Sequence, residues 1–212
     1  MLDKNNKVKE KQRVFDYNSK SYFYYMEKIF DVAVLSLLWL VFCLPIVTIG
    51  ASTTALYYTV HKVIMQDRGY LSQEFVRAFR DNLKRGTILW LILGIVNFAL
   101  QLNIGILYKK TEGYAGLFFV IFYIVLLVLV IGVMLYSFPA MSRFDMEAGW
   151  ILKLALYMTF RYFPVTLVLL SIFAAGLYVL YRIPLLILFL PVGMMMGEHY
   201  FLEPILHKHT TH

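Results

Sequence analysis

An all-helical bundle that crosses a membrane about six times is the fold this sequence predicts, and three observations predict it. Of 212 residues, 60% are hydrophobic and 16% charged, with a mean hydropathy of +0.68; soluble domains carry about 25% charged residues. The apolar residues fall in long runs separated by short polar stretches, the pattern of membrane spans. Lysine and arginine gather beside alternate runs, where they orient spans and attract anionic headgroups. A soluble chain of this composition would expose apolar patches large enough to aggregate.

Residues 1–28 form a basic tail containing Lys4, Lys7, Lys9, Lys11, Arg13 and Lys20. Tyr22, Phe23, Tyr24 and Tyr25 follow and suit the headgroup layer, where ring and hydroxyl meet different solvents. A first span over 30–44 is short for a crossing, which needs about 20 residues. Pro45 tends to end it, and Gly50 permits a tight turn. A second span over 49–65 opens with Ala51, Ser52, Thr53, Thr54 and Ala55, small residues that let helices approach closely. Trp39, Pro45, Thr48, Gly50, Thr53 and Thr54 are the candidate residues of this hairpin, as structural or partner-binding positions.

Charge decides whether 49–65 crosses. With further spans at 87–107, 115–138, 164–180 and 183–200, a crossing there puts seventeen of the 20 Lys and Arg residues in the cytoplasm. Lys109, Lys110 and Arg182 are left outside. Without that crossing the sides divide evenly. The positive-inside bias therefore predicts six spans with both termini cytoplasmic, in one membrane domain over 29–205 followed by a short tail, 206–212.

Between spans two and three, 69–85 reads as an amphipathic helix in the inner interface. Phe75, Phe79 and Leu83 recur at i, i+4, i+8, with Arg80 and Lys84 on other faces and Asn82 beside the stripe. Docking to a partner protein fits the same pattern. Span three carries Asn97 and Gln101 on one helix face. These amides predict either bonds to neighbouring helices or a polar wall for a solute. Span four, 115–138, is almost purely apolar, and Pro139 is expected to end it. A second amphipathic helix is expected at 147–162, with Ile151, Leu154 or Ala155, and Met158 as its stripe. Pro164 suits the start of span five. Pro191 is expected to kink span six, where Met194, Met195 and Met196 point in three directions and make a poor Cu(I) site.

No nucleotide loop and no catalytic triad pattern is present, and net charge beside apolar spans argues for lipid rather than nucleic acid. Glu198, His199 and Glu203, with tail residues His207, His209 and His212, lack the spacing of a helical zinc motif. Cys43 lies in an apolar run and reads as a small buried hydrophobe. The sequence predicts no enzyme, cofactor or metal.

Leu38-Trp39 and the run Leu44-Pro45-Ile46-Val47-Thr48-Ile49-Gly50-Ala51-Ser52-Thr53-Thr54-Ala55-Leu56-Tyr57-Tyr58 resemble the signature of the YesL-like family of bacterial membrane proteins. Phe75, Phe79, Asn82 and Lys84, then Phe138-Pro139, Arg143-Phe144, Arg161, Pro164 and Thr166, resemble its later landmarks in the same order. The resemblance implies a multi-pass protein of the bacterial cytoplasmic membrane with no established enzymatic activity. Members are often encoded near carbohydrate uptake, which implies an accessory or regulatory partner of a binding-protein-dependent (ABC-type) sugar importer. The alternatives are a transporter or channel in its own right, or a homo-oligomeric scaffold.

Overall fold

The computed structural model describes residues 26–110 and 114–210, and all regular structure among them is helical. Most of the basic tail, the Tyr22–Tyr25 cluster, part of the external loop and His212 lie outside these residues. Helix α1 covers 26–43. A 3-10 turn at Ile46–Thr48 leads into α2, Ile49–Thr59, which ends in a π turn at Val60–Ile64. Then come α3 (Leu71–Lys110), α4 (Tyr114–Arg143), α5 (Ala148–Arg161) and α6 (Phe163–Arg182). A 3-10 turn at Pro184–Leu188 precedes α7, Leu190–Thr210.

Three of these expectations are corrected. The amphipathic helix at 69–85 and the span at 87–107 are one continuous helix of 40 residues, roughly 60 Å long at 1.5 Å per residue. Gly86 at the join costs only about 1 kcal/mol of helix propensity, too little to break a helix packed on both sides of it. Pro139 does not end span four but sits buried inside α4. Ser142 donates to the Pro139 carbonyl at 2.7 Å, and tertiary packing holds the helix to Arg143 despite the missing N–H. The segment 183–200 is not one helix: Pro184 opens a separate 3-10 turn, and Pro191 stands in the first turn of α7, where it need not kink anything.

Among the described residues, three helices are long and apolar enough to cross a membrane, over Leu71–Leu107, Leu117–Arg143 and Phe163–Arg182. Their apolar windows are only 11% to 17% buried, so most of that surface is free to face lipid.

The elements sort into two tiers along α3. Before Gly86 its exposed residues are Ser72, Gln73, Arg77, Arg80, Asp81 and Lys84, with Leu83 the one apolar exception. After it they are mostly apolar, Ile88, Leu91, Ile92, Ile95, Val96 and Phe98 among them, with the amides of Gln101 and Asn103 as polar exceptions. The basal tier holds α1, α2, residues 71–86, the end of α4, much of α5 and the C-terminal part of α7. The apolar tier holds 87–110, the rest of α4, and α6. Ion pairs Lys28–Asp67 and Lys62–Glu74 tie the far end of the basal tier. Phe42 meets Phe75 and Phe79 edge to face, with centroids 5.5 and 4.7 Å apart. The tip of the α1–α2 hairpin therefore lies beside Gly86 and Trp90, not beside the far end of α3, some 36 Å further along at helical rise.

Helix α2 is the core of the basal tier. Ala51, Ala55, Tyr57 and Val60 are fully buried, and Ser52, Thr54 and Thr59 are buried with them. Thr54 and Thr59 donate to the carbonyls of Gly50 and Ala55, four residues back, so the hydroxyls cost no unsatisfied bond. The stripe Ile151, Ala155 and Met158 of α5 is also fully buried. Helix α5 packs on α4, with α3 and α6 also in contact, so the stripe lies within the core and does not face a membrane surface.

Candidate functional site

The hairpin residues close the turn and join its arms. The Thr48 hydroxyl reaches the carbonyl oxygens of both Phe42 and Pro45 at 2.7 Å. Trp39 Nε1 donates to Thr53 Oγ1 at 3.4 Å, and Ser52 donates to the Trp39 carbonyl at 3.3 Å. Gly50 lies against Gly86 and Trp90 of α3. Asn82 is buried and donates to the Ala78 carbonyl, while Arg80 and Lys84 stay exposed. Of the predicted positions in this region, Trp39 and Thr53 go on to line a cavity; Pro45 and Thr48 do not.

That cavity, of about 610 Å³, lies between α1, α2, α3, α4, α6 and α7. Trp39, Trp90, Phe138, Leu177 and Met194 are among the residues of its wall. Asn97 and Gln101 enter the same wall, and Gln101 donates to Asn97 at 2.8 Å within the helix. They thus satisfy each other and face open space instead of a neighbouring helix. Helices α3 and α6 both pack on α4, and the exposed Phe98 and Leu177 mark an opening toward lipid between them.

Glu198 is the charged residue of this cavity. It is 2% exposed, lines the space, and has no hydrogen-bond or ion-pair partner among the described residues. A buried carboxyl without a partner is costly. Its position makes it the natural anchor for a bound group. The sequence placed it at a span end, and no local pattern marks it as cavity-facing.

One residue on, α7 turns a different face. His199 meets His61 from the π turn, Nε2 to Nδ1 at 2.7 Å. Gln66 Nε2 lies 2.6 Å from the other ring nitrogen of His61. Arg143, carried by the part of α4 beyond Pro139, places Nη2 within 3.0 Å of the His61 ring and pairs with Glu203. Burial alone would raise the Glu203 carboxyl; the hydrogen bond and charge of Arg143 outweigh it and hold the group below its ordinary range. The buried Tyr57 hydroxyl sits against Glu203 without a hydrogen bond of normal geometry. Sequence grouping had joined Glu198 to His199 and Glu203. The fold separates Glu198 from them and supplies His61 from 138 residues away.

The hairpin, its close seat on Gly86 and the apolar half of α3 together form the stretch that comparison recognises. Residues 32–104 match the model of the family DUF624. The family is described as a protein of unknown function. The DUF624 match contains the landmarks from Leu38 to Lys84 that resemble YesL-like proteins, and it is consistent with that resemblance. No curated protein and no solved structure matches the chain. The DUF624 segment supplies His61, Trp39, Thr53, Asn97 and Gln101; Arg143, Glu198, His199 and Glu203 come from beyond it.

Proposed function

We propose that this chain is a non-enzymatic, multi-pass protein of the bacterial cytoplasmic membrane that binds a small amphipathic solute within the bilayer. The observation that carries this reading is Glu198, buried with no partner among the described residues on the wall of an apolar cavity of about 610 Å³. Ligand pockets of roughly 300–1,000 Å³ are mostly apolar with a few placed polar groups. Glu198, Asn97, Gln101 and Thr53 are those groups here. The aromatic walls suit an alkyl or ring body, and Glu198 suits a head that donates hydrogen bonds, such as a sugar hydroxyl or an ammonium.

The same geometry refines the topology. Six spans with both termini cytoplasmic is the expectation from charge. A hairpin whose tip stays beside Gly86 supports four full crossings with α1 and α2 entering from the inner side and returning. Both arrangements leave every later loop on the same side, so the positive-inside count holds for each.

A second reading makes the chain an accessory or regulatory partner of a carbohydrate importer, as the YesL-like resemblance implies. The flank of α1 and the turn after it support this reading: Phe30, Leu37 and Val41 on the helix, then Leu44 and Ile46, are exposed alongside a tier whose α3 face is charged. The test is direct. Purified protein is titrated with alkyl glycosides and long-chain amines while its unfolding temperature is followed. Stabilisation that Glu198→Gln weakens tenfold or more supports the binding reading. No stabilisation by either class, together with importer subunits in mild-detergent pull-downs, favours the accessory reading.

A further inference from the structure

We propose that His61, His199 and Glu203 form a three-ligand site for a divalent transition-metal cation of borderline softness, with Zn²⁺ the fitting probe. The site lies in the basal tier, apart from the cavity, and does not rest on the solute-binding reading. His199 and Glu203 are one helical turn apart on α7, and His61 faces them from the π turn that follows α2. His61 Nδ1, His199 Nε2 and Glu203 Oε2 form a triangle with edges of 2.7, 3.5 and 3.7 Å. A tetrahedral ion with bonds of about 2.05 Å requires ligand separations of about 3.3 Å. The short imidazole edge must open by about 0.6 Å to meet that value, and the two carboxylate edges must close slightly.

The state of the oxygen is the second, independent observation. Glu203 gives Oε1 to Arg143, while Oε2 is buried with no hydrogen-bond partner among the described residues and lies 3.5 and 3.7 Å from the two imidazole nitrogens, with the equally unbonded Tyr57 hydroxyl beside the carboxylate. An orphaned buried carboxylate oxygen calls for a partner. Imidazole nitrogens facing it at these distances make a cation the partner that satisfies all three atoms together. The surroundings match what orients metal ligands elsewhere. Arg143 fixes the far oxygen of Glu203, and Gln66, with its amide turned so that oxygen faces the ring, accepts from His61 Nε2–H. Metal entry requires the Arg143 guanidinium to withdraw from the His61 ring and keep its bond to Oε1. That positive charge opposes the ion and sets the affinity below that of an unopposed site. Gln66 is exposed, which gives an entry path from the basal side. The π turn that presents His61 is a helix irregularity frequently found at functional sites. With three protein ligands the fourth position stays open, as in zinc sites that bind water or a substrate group.

The experiment is metal titration of the full chain in detergent, with Co²⁺ as spectroscopic probe and Zn²⁺ in competition with a chromophoric chelator. The expected result is one Co²⁺ per chain with the visible bands of four-coordinate cobalt, displaced by Zn²⁺. His61→Gln and His199→Gln should each weaken binding at least 100-fold, and Gln66→Ala about 10-fold. A chain with His207, His209 and His212 all changed to Gln should bind as tightly as the parent. Circular dichroism and unfolding temperature identify any variant that fails to fold, in which case His61→Asn replaces it. Absence of stoichiometric uptake overturns the proposal, as does uptake insensitive to His61→Gln or lost with the tail histidines.

Discussion

Gly50 and Gly86 meet so closely that neither position has room for a methyl group. A Cβ on Gly50 would lie 2.4 Å from the Gly86 carbonyl oxygen, and one on Gly86 would lie 2.8 Å from Ala51 Cα and N. The obstacles are backbone atoms, so no side-chain rotation relieves them. Gly86→Ala gains about 1 kcal/mol of helix propensity and loses more through overpacking, about 1–3 kcal/mol. The expected outcome is a lower unfolding temperature for Gly86→Ala and a larger drop for Gly50→Val. Gly94 and Gly105 of the same helix have nothing within 4 Å of an added Cβ, so Gly94→Ala and Gly105→Ala should leave stability unchanged or raise it. Equal loss at Gly86, Gly94 and Gly105 would mean that helix α3 itself, and not its contact with α2, is being disturbed.

The level of that contact predicts topology. In a Cys43→Ser background, single cysteines at 47, 68 and 110 are treated with an impermeant thiol reagent on intact cells. A hairpin that returns to the inner side leaves position 47 unlabelled from outside, while 110 is labelled and 68 is reached only after lysis. Labelling of 47 from outside restores six full crossings.

Much of this arrangement can be read from the chain. The hairpin break at Pro45 to Gly50, the change of character at Gly86, and the start of α6 near Pro164 all rest on local chemistry that one sequence displays. What the sequence hides is how segments share levels. The stripe Phe75, Phe79 looks the same whether it lies on lipid or on Phe42, because both surfaces are apolar. Pro139 reads as a stop because its missing N–H is local, whereas the packing that carries α4 on to Arg143 is not. His61, Arg143 and Glu203 converge from three helices, and no spacing within any one of them announces it. Glu198 faces the cavity while the next residue, His199, faces His61, a division that depends on how α7 is rotated in the bundle and not on local sequence.

The placement of Phe75 separates core from surface along the basal half of α3. Phe75 is fully buried against Phe42, whereas Arg80 and Lys84 are exposed. Phe75→Ala should cost about 3–5 kcal/mol, the range for emptying a packed aromatic site. Arg80→Ala and Lys84→Ala should stay within about 0.5 kcal/mol. Denaturation of the three variants in one detergent checks the contrast. If Arg80→Ala or Lys84→Ala instead abolishes co-purification of importer subunits at unchanged stability, that charged face is the docking element of the accessory reading.

Asn97 and Gln101 provide the sharpest test of whether the cavity wall is structural or functional. Their amides bond each other at 2.8 Å and face the cavity, so no other helix depends on them. Removing one amide leaves the other without its partner, at a cost of about 1 kcal/mol. Removing both should be nearly neutral, because no orphan remains. The double-mutant cycle of Asn97→Leu and Gln101→Leu should therefore show a coupling of about 1 kcal/mol in unfolding free energy, with the double variant close to the parent. If the pair bound a neighbouring helix, as interhelical amides do, the double variant would be the least stable of the set. In the solute titration the same double variant should lose affinity for alkyl glycosides while keeping its fold, which separates a wall that touches a bound head group from one that only fills space.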